Sequence, residues 1–289
     1  MSEVHLSWNL VADVRQLFEF HFMVNAFRAG TVVAVAGGLI GWFMVVRGQS
    51  FAGHTLALVG FPGAAGATLV GIGASWGFYG FCTAAALVIA ALPRAGGTGY
   101  HEESAVIGTV QAVALGFGFL FVTLYAGSLS SINGLLFGSF LGIADGQVLA
   151  LVGVAAAALA VLACIARPLL FASVDADVAA ARGVPVRVLS VAFLVLLGLT
   201  VAAISQITGT LLVFALLVMP AATAQVLSAR PARSAALAVA LAVAVTWAGL
   251  ASAYYSPYPI GFSVTTFAFV AYLGAQAAQR RRGRGGVAA

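Results

Sequence analysis

Apolar segments long enough to cross a lipid bilayer recur along almost the whole chain. A transmembrane helix needs about 20 mainly apolar residues, because the hydrocarbon core is about 30 Å thick. Such runs cover residues 22–46, 51–75, 76–93, 104–126, 147–166, 189–207, 211–228, 234–254 and 262–278. They predict an all-α, polytopic membrane protein. We expect about eight to ten spans, since Pro62 and Gly63 interrupt the second run and residues 127–144 could hold another short helix.

The composition excludes a water-soluble domain of this length. Hydrophobic residues make up 62% of the chain and charged residues only 7%, whereas a soluble domain carries about 25% charged residues to cover its surface. Most of the chain must therefore face lipid or other buried helices. We predict a multi-pass protein of the cell membrane.

The arginines predict the orientation in the membrane. With the N-terminus outside, every arginine except Arg15 and Arg28 faces the cytoplasm, as the positive-inside rule requires. This predicts an interfacial or external segment over residues 1–20, a transmembrane domain over 21–279 and a basic cytoplasmic tail over 280–289. Because the arginines lie between apolar runs, they indicate topology and give no sign of nucleic-acid binding.

The chain lacks the groups that would drive uphill transport by itself. It contains no Gly-x-x-x-x-Gly-Lys-Ser/Thr phosphate loop. Its carboxylates all fall at the ends of apolar runs or in loops, while a proton- or sodium-coupled carrier normally keeps ionisable groups within the bilayer. The exception inside a run is His54. We therefore expect a non-enzymatic subunit whose energy comes from a partner.

The longest predicted cytoplasmic loop, residues 167–188, contains signals for a short capped helix. Ser173 or Asp175 can serve as the N-cap, and Asp177 makes the first turn acidic. Gly183 suits the position just after the helix, and Pro185 prevents its continuation. Two interpretations remain open: a plain amphipathic connector, or a coupling helix that docks into a partner ATPase.

Two runs contain residues that predict helix breaks. Pro62 with Gly63 interrupts one run, and Pro220 interrupts another. A break can free carbonyls to line a cavity, or simply kink a helix for packing. Small residues surround both positions and permit close approach of helices. We therefore treat Pro62, Gly63 and Pro220 as candidates for a transport path or a dimer seam.

Several segments, in the same order, resemble the permeases of zinc, manganese and iron ABC importers. They are FMVNAFRAG (22–30), SFAGHTLALVGFPG (50–63), Glu103 with Ile107-Gly108, LFGS (136–139), the loop residues 173–179 and 183–185, GTLLV (209–213) and LVMPAATA (217–224). The resemblance covers roughly residues 20–278 and implies a permease like those of type II ABC importers.

The resemblance also implies partners and a cargo. Two permeases, either identical or paralogous, would enclose the translocation path, two cytoplasmic ATP-binding subunits would bind below, and a metal-binding receptor would dock from outside. The segment containing Ala179, Gly183 and Pro185 is similar to the loop that engages the ATPase. A divalent metal ion would be the transported species, with no tightly bound cofactor.

At the expected metal path this sequence departs from the family pattern. Family members often carry an acidic residue in the second span and a histidine one turn later. Here His54 stands at the acidic position and Leu58 at the histidine position. A symmetric dimer would bring two His54 imidazoles to the path. The alternative is a histidine hydrogen-bonded to a neighbouring helix.

Three other functions remain as alternatives. A permease for a metal chelate of siderophore or cobalamin type would need a wider path and is usually longer. A stand-alone carrier or channel would transport without an ATPase or a receptor. A non-transporting membrane scaffold is disfavoured mainly by the family resemblance.

Overall fold

The computed structural model describes residues 16–91, 100–124, 138 and 142–285, and the elements in this part of the chain are helical. The helices, in chain order, are α1 His21–Val46, α2 Ser50–Leu69, α3 Ala74–Ala91, α4 Tyr100–Leu124, α5 Asp145–Val174, α6 Ala176–Ala181, α7 Val186–Thr208, α8 Thr210–Leu227, α9 Pro231–Tyr255 and α10 Ile260–Gly285. The predictions for residues 1–15 and for most of 127–144 lie outside the described residues.

Each predicted apolar run overlaps one long helix, which confirms the all-α polytopic fold. Seven of the described helices are long and apolar enough to cross a membrane: α1, α3, α4, α5, α7, α9 and α10. The apolar part of α8 is shorter, at Leu212–Leu227. An α-helix is the expected form throughout, because lipid offers no partner for an exposed backbone N–H or C=O group.

Two helices extend further than predicted. Helix α5 continues beyond residue 166 to Val174, through Arg167 and Pro168, so the start of the predicted 167–188 loop is helical. Its 30 residues span about 45 Å, more than the hydrocarbon core needs, and its end therefore reaches beyond the bilayer. Helix α10 similarly continues into the predicted basic tail, as far as Gly285.

The predicted helix breaks at the prolines are wrong. Helix α2 runs unbroken through Pro62 and Gly63, and α8 runs unbroken through Pro220. A proline in a helix removes one hydrogen-bond donor, but packing against neighbouring helices can keep the backbone helical. In α2 that packing is visible: a Cβ added to Gly118 of α4 would lie only 3.2 Å from the Cβ atom of Pro62.

The chain separates into two compact units, and one of them comprises residues 43–138 and 154–214. Within this unit α2 packs against α3, α4 and α7. The α2–α3 contact is closest at Gly63 and Gly77, where a Cβ on either residue would overlap the backbone of the other. These two glycines let the helix backbones touch.

The other unit comprises residues 1–42, 139–153 and 215–289. Two indole groups join α1 to α9 within it. Trp42 Nε1 donates to Ser234 Oγ at 2.9 Å, and Trp247 Nε1 donates to Thr31 Oγ1 at 2.9 Å. Because few polar partners exist inside a bilayer, such bonds fix the register of neighbouring helices.

The α2–α3 contact predicts the effect of a single methyl group. Gly77→Ala should destabilise the permease by about 1–3 kcal/mol, because the added methyl overlaps the backbone at Gly63. The matched control is Gly80→Ala on the same helix, where an added Cβ meets nothing within 4 Å. The unfolding temperature of the purified protein in detergent should fall for Gly77→Ala only. Equal unfolding temperatures for the two variants would contradict the close contact.

Candidate functional site

Helix α2 is enclosed by its neighbours except along one narrow face. From Ala52 to Gly66 every residue is buried apart from His54 and Leu58, which are half-buried. These two residues are four apart and therefore lie one above the other on the same side of the helix. The residue one turn before His54, Phe51, is exposed. We call the row formed by Phe51, His54 and Leu58 the open face of α2.

His54 has an aromatic neighbour but an unsatisfied ring nitrogen. Its imidazole packs edge-on against the ring of Phe214 on α8, with centroids 4.6 Å apart. His54 Nδ1 is buried and has no hydrogen-bond partner among the described residues. A buried polar atom without a partner costs about 1–3 kcal/mol. Nδ1 therefore makes no hydrogen bond to a neighbouring helix in the part of the chain that the structure describes.

One chain provides a single metal-ligating side chain at this face. Among the described residues, no group of three or more His, Cys, Asp or Glu side chains could hold a metal ion. The hydroxyl of the adjacent Thr55 is already engaged, since it donates to Gln111 Oε1 at 2.9 Å. Leu58 offers no ligand. Any metal held here needs further ligands from water, from backbone oxygens or from another subunit.

The short capped helix predicted in the cytoplasmic loop is present as α6, Ala176–Ala181. Asp175 is its N-cap: the side chain accepts a hydrogen bond from the Val178 N–H at 2.9 Å. Asp177 lies in the first turn, where a carboxylate is favourable against the helix dipole. Ser173, the other candidate cap, instead belongs to the last turn of α5 and donates to Leu169 O at 2.6 Å.

The far end of α6 is closed by a glycine turn. Gly183 has a φ of 80°, a conformation that costs little only for glycine. Its N–H donates to Ala180 O, and the Val184 N–H donates to Ala179 O, so the last carbonyls of the helix are satisfied. Pro185 then precedes α7 at its N-cap position. The loop therefore holds a defined shape.

Helix α6 has a buried side and an exposed side. Ala179 is fully buried, whereas Val178 and, just before the helix, Val174 are exposed, the latter at 79%. Asp175 and Asp177 are exposed as well. This side of α6 therefore presents apolar and acidic side chains to the surroundings.

Pro62 and Gly63, two of the three predicted helix-break residues, do not join the open face of α2. Pro62 and Gly63 are buried within their unit, against α4 and α3 respectively, and Pro220 is also buried. Sequence reasoning missed Phe214, whose ring covers one side of His54. No local pattern points to this residue, because the contact joins distant parts of the chain.

Comparison with known proteins identifies the family to which this chain belongs. The model of the ABC 3 transport family matches residues 19–279. The chain is therefore a membrane-spanning ABC permease, a multi-pass protein of the cell membrane. It belongs to the ABC 3 transport family, and the resemblance to metal-ion ABC importer permeases is confirmed.

Relatives of known name cover most of the chain. The manganese import system permease protein ScaB of Streptococcus parasanguinis is 30% identical over 72% of this chain and 73% of its own length. The chelated iron transport system membrane protein YfeC of Yersinia pestis is 29% identical over 89% of this chain and 86% of its own.

A solved structure has the same architecture. A chain of PsaBC from Streptococcus pneumoniae, solved in complex with Fab, superimposes with a TM-score of 0.81 at 27% identity, covering 92% of this chain and 95% of that one. A metal-chelate type ABC transporter in an inward-facing conformation gives a TM-score of 0.63 at 18% identity, which shows a shared fold alone.

The open face of α2 predicts a transport defect without a folding defect. His54→Ala should lower metal uptake, because it removes the one imidazole on that face, while the amount of permease in the membrane stays normal. The measurement is radioisotope uptake normalised to the permease detected in membranes. His21→Ala is the matched control, since His21 is exposed, belongs to the other unit and pairs there with Asp145 at 3.1 Å. Uptake equal to wild type in His54→Ala would remove His54 from the path.

Proposed function

We propose that this permease carries a divalent transition metal ion, zinc, manganese or iron, into the cell. The observation that carries the proposal is the open face of α2, where the half-buried imidazole of His54 interrupts an apolar helix and its Nδ1 atom has no partner among the residues that the structure describes. Helix α2 packs against the membrane-spanning helices α3, α4 and α7, and an ionisable group buried among such helices is costly and is a candidate for a transport route. Relatives named for manganese and for chelated iron support a metal as the cargo.

The ligand chemistry suits transient binding. Two permeases facing each other would bring two His54 side chains to one path, and water or backbone oxygens would complete the coordination. Imidazole suits zinc and iron better than manganese, which prefers oxygen ligands. A site with so few protein ligands binds weakly, which favours release to the cytoplasm.

The energy and the delivery of the cargo require partners. The chain contains no phosphate-binding loop, so two copies of a cytoplasmic ATP-binding subunit would hydrolyse ATP. They would dock on the exposed side of α6 and its flanking residues, the loop from Ser173 to Pro185. A metal-binding receptor would deliver the ion from outside, and a second copy or a paralogue of this permease would complete the path.

Reconstitution in sealed proteoliposomes tests the proposal. The purified chain alone should accumulate no metal against a gradient, because nothing in it couples transport to an energy source. The same chain with its ATP-binding subunit, a metal-loaded receptor and ATP should accumulate metal. Omitting ATP is the control for passive leak. Uphill uptake by the chain alone would instead establish a stand-alone carrier, and no ATP-dependent uptake by the full complex would reject a metal importer.

A further inference from the structure

One arginine, at the cytoplasmic side predicted above, bonds within its own turn and to two distant segments of the chain. Arg47 lies in the short turn between α1 and α2, and all three of its guanidinium nitrogens donate hydrogen bonds. Nε donates to Gln49 Oε1 at 3.2 Å, Nη1 to Ser173 Oγ at 3.1 Å, and Nη2 to Ser190 Oγ at 2.8 Å. The planar fork of a guanidinium is suited to holding several acceptors in fixed directions.

Two of these acceptors flank α6, the helix to which we assign ATPase docking. Ser173 lies in the last turn of α5, just before α6, and Ser190 lies in the first turns of α7, just after it. Both ends of the docking loop are therefore fastened to one side chain. The Ser173 hydroxyl also donates to Leu169 O at 2.6 Å, so its proton is used and its oxygen is left to accept from Arg47.

The guanidinium is further held by an aromatic ring. Its central carbon lies 5.4 Å from the ring centroid of Phe193, on the first turns of α7. Arginine over an aromatic face gains a cation–π attraction that strengthens where water is partly excluded. Arg47 is half-buried at this position. The contact ties Arg47 to the start of α7 a second time.

The third acceptor connects Arg47 to the helix that carries His54. Gln49 immediately precedes α2 and is buried, with 7% of its surface exposed. Its backbone carbonyl accepts a hydrogen bond from the Gly53 N–H at 3.0 Å, which makes Gln49 part of the first turn of α2. Gly53 is the residue before His54. A continuous series of polar contacts thus runs from the docking loop through Arg47 and Gln49 to the first turn of α2, which leads directly to His54.

We propose that Arg47 is a positioning residue that links the ATPase-docking loop to α2, so that a displacement of the loop moves His54. The proposal rests on the proposed function and adds to it the route by which ATP hydrolysis reaches the metal path. An arginine at this place would also serve as a signal for the orientation of the chain in the membrane. The test must therefore separate a lost link between the loop and α2 from a defect in membrane insertion or folding of the permease.

The test measures how many metal ions enter per ATP hydrolysed in the reconstituted complex. Arg47→Met keeps most of the apolar stem and removes every donor. We expect this ratio to fall by about tenfold while receptor-stimulated ATP hydrolysis continues, since ATP would still be consumed without moving α2. Arg167→Met is the matched control, an exposed arginine on α5, and its ratio should equal that of the wild type.

A second variant keeps the arginine and removes two of its acceptors. Ser173→Ala combined with Ser190→Ala should lower the same ratio in the same direction, and this variant decides the question if Arg47→Met fails to accumulate in the membrane. An unchanged ratio in the serine double variant, or in a well-folded Arg47→Met, overturns the linkage. A wild-type complex that imports no metal overturns the proposed function itself, so the two failures are distinguishable.

Discussion

The close packing of α2 determines what this unit of the protein can present to its surroundings. Gly63 and Gly77 bring the backbones of α2 and α3 into contact, and Gly118 accepts Pro62 from the side of α4. In a bilayer the lipid tails are as apolar as leucine side chains, so burying apolar surface does not by itself drive helices together. Small residues such as these glycines let the helix backbones approach closely and associate tightly. Because α2 is enclosed in this way, His54 and Leu58 are the residues between Ala52 and Gly66 that stay partly exposed.

Helix α2 begins close to the end of α5 and the start of α7, which the arginines predict to lie on the cytoplasmic side. The turn before α2 contains Arg47, whose donors reach the end of α5 and the start of α7. Between those two ends lies α6, shaped by the Asp175 cap and the Gly183 turn. Helix α2 therefore carries a candidate metal ligand about one turn from its start, and Arg47 connects the turn before it to both ends of the segment that holds α6.

The apolar runs were sufficient to predict the helices, because a chain inside lipid has almost no other way to satisfy its backbone. Their ends were harder to predict. Arg167 and Pro168 look like the start of a loop, yet α5 continues through both, since a helix can extend beyond the bilayer into water. Pro62 likewise suggested a break, and only the neighbouring helices show why the helix persists.

The site was partly predictable for related reasons. His54 stands out because an ionisable side chain inside an apolar run is rare, and Asp175 with Gly183 stands out because caps have local signatures. The ring of Phe214 beside His54 and the serines bound by Arg47 depend on contacts between distant segments, which a one-dimensional pattern does not contain.

The role proposed for His54 requires that the open face of α2 border a water-filled path and not lipid. Single cysteines in the assembled transporter, in a background with Cys82→Ala and Cys164→Ala, test this with a membrane-impermeant, water-soluble maleimide. Leu58→Cys should react and become protected by the transported metal. Ala57→Cys, which is buried, and Phe119→Cys, on a residue 71% exposed on α4, should both remain unmodified. A Leu58→Cys variant as unreactive as Phe119→Cys would show that this face meets lipid and would contradict a metal path along α2.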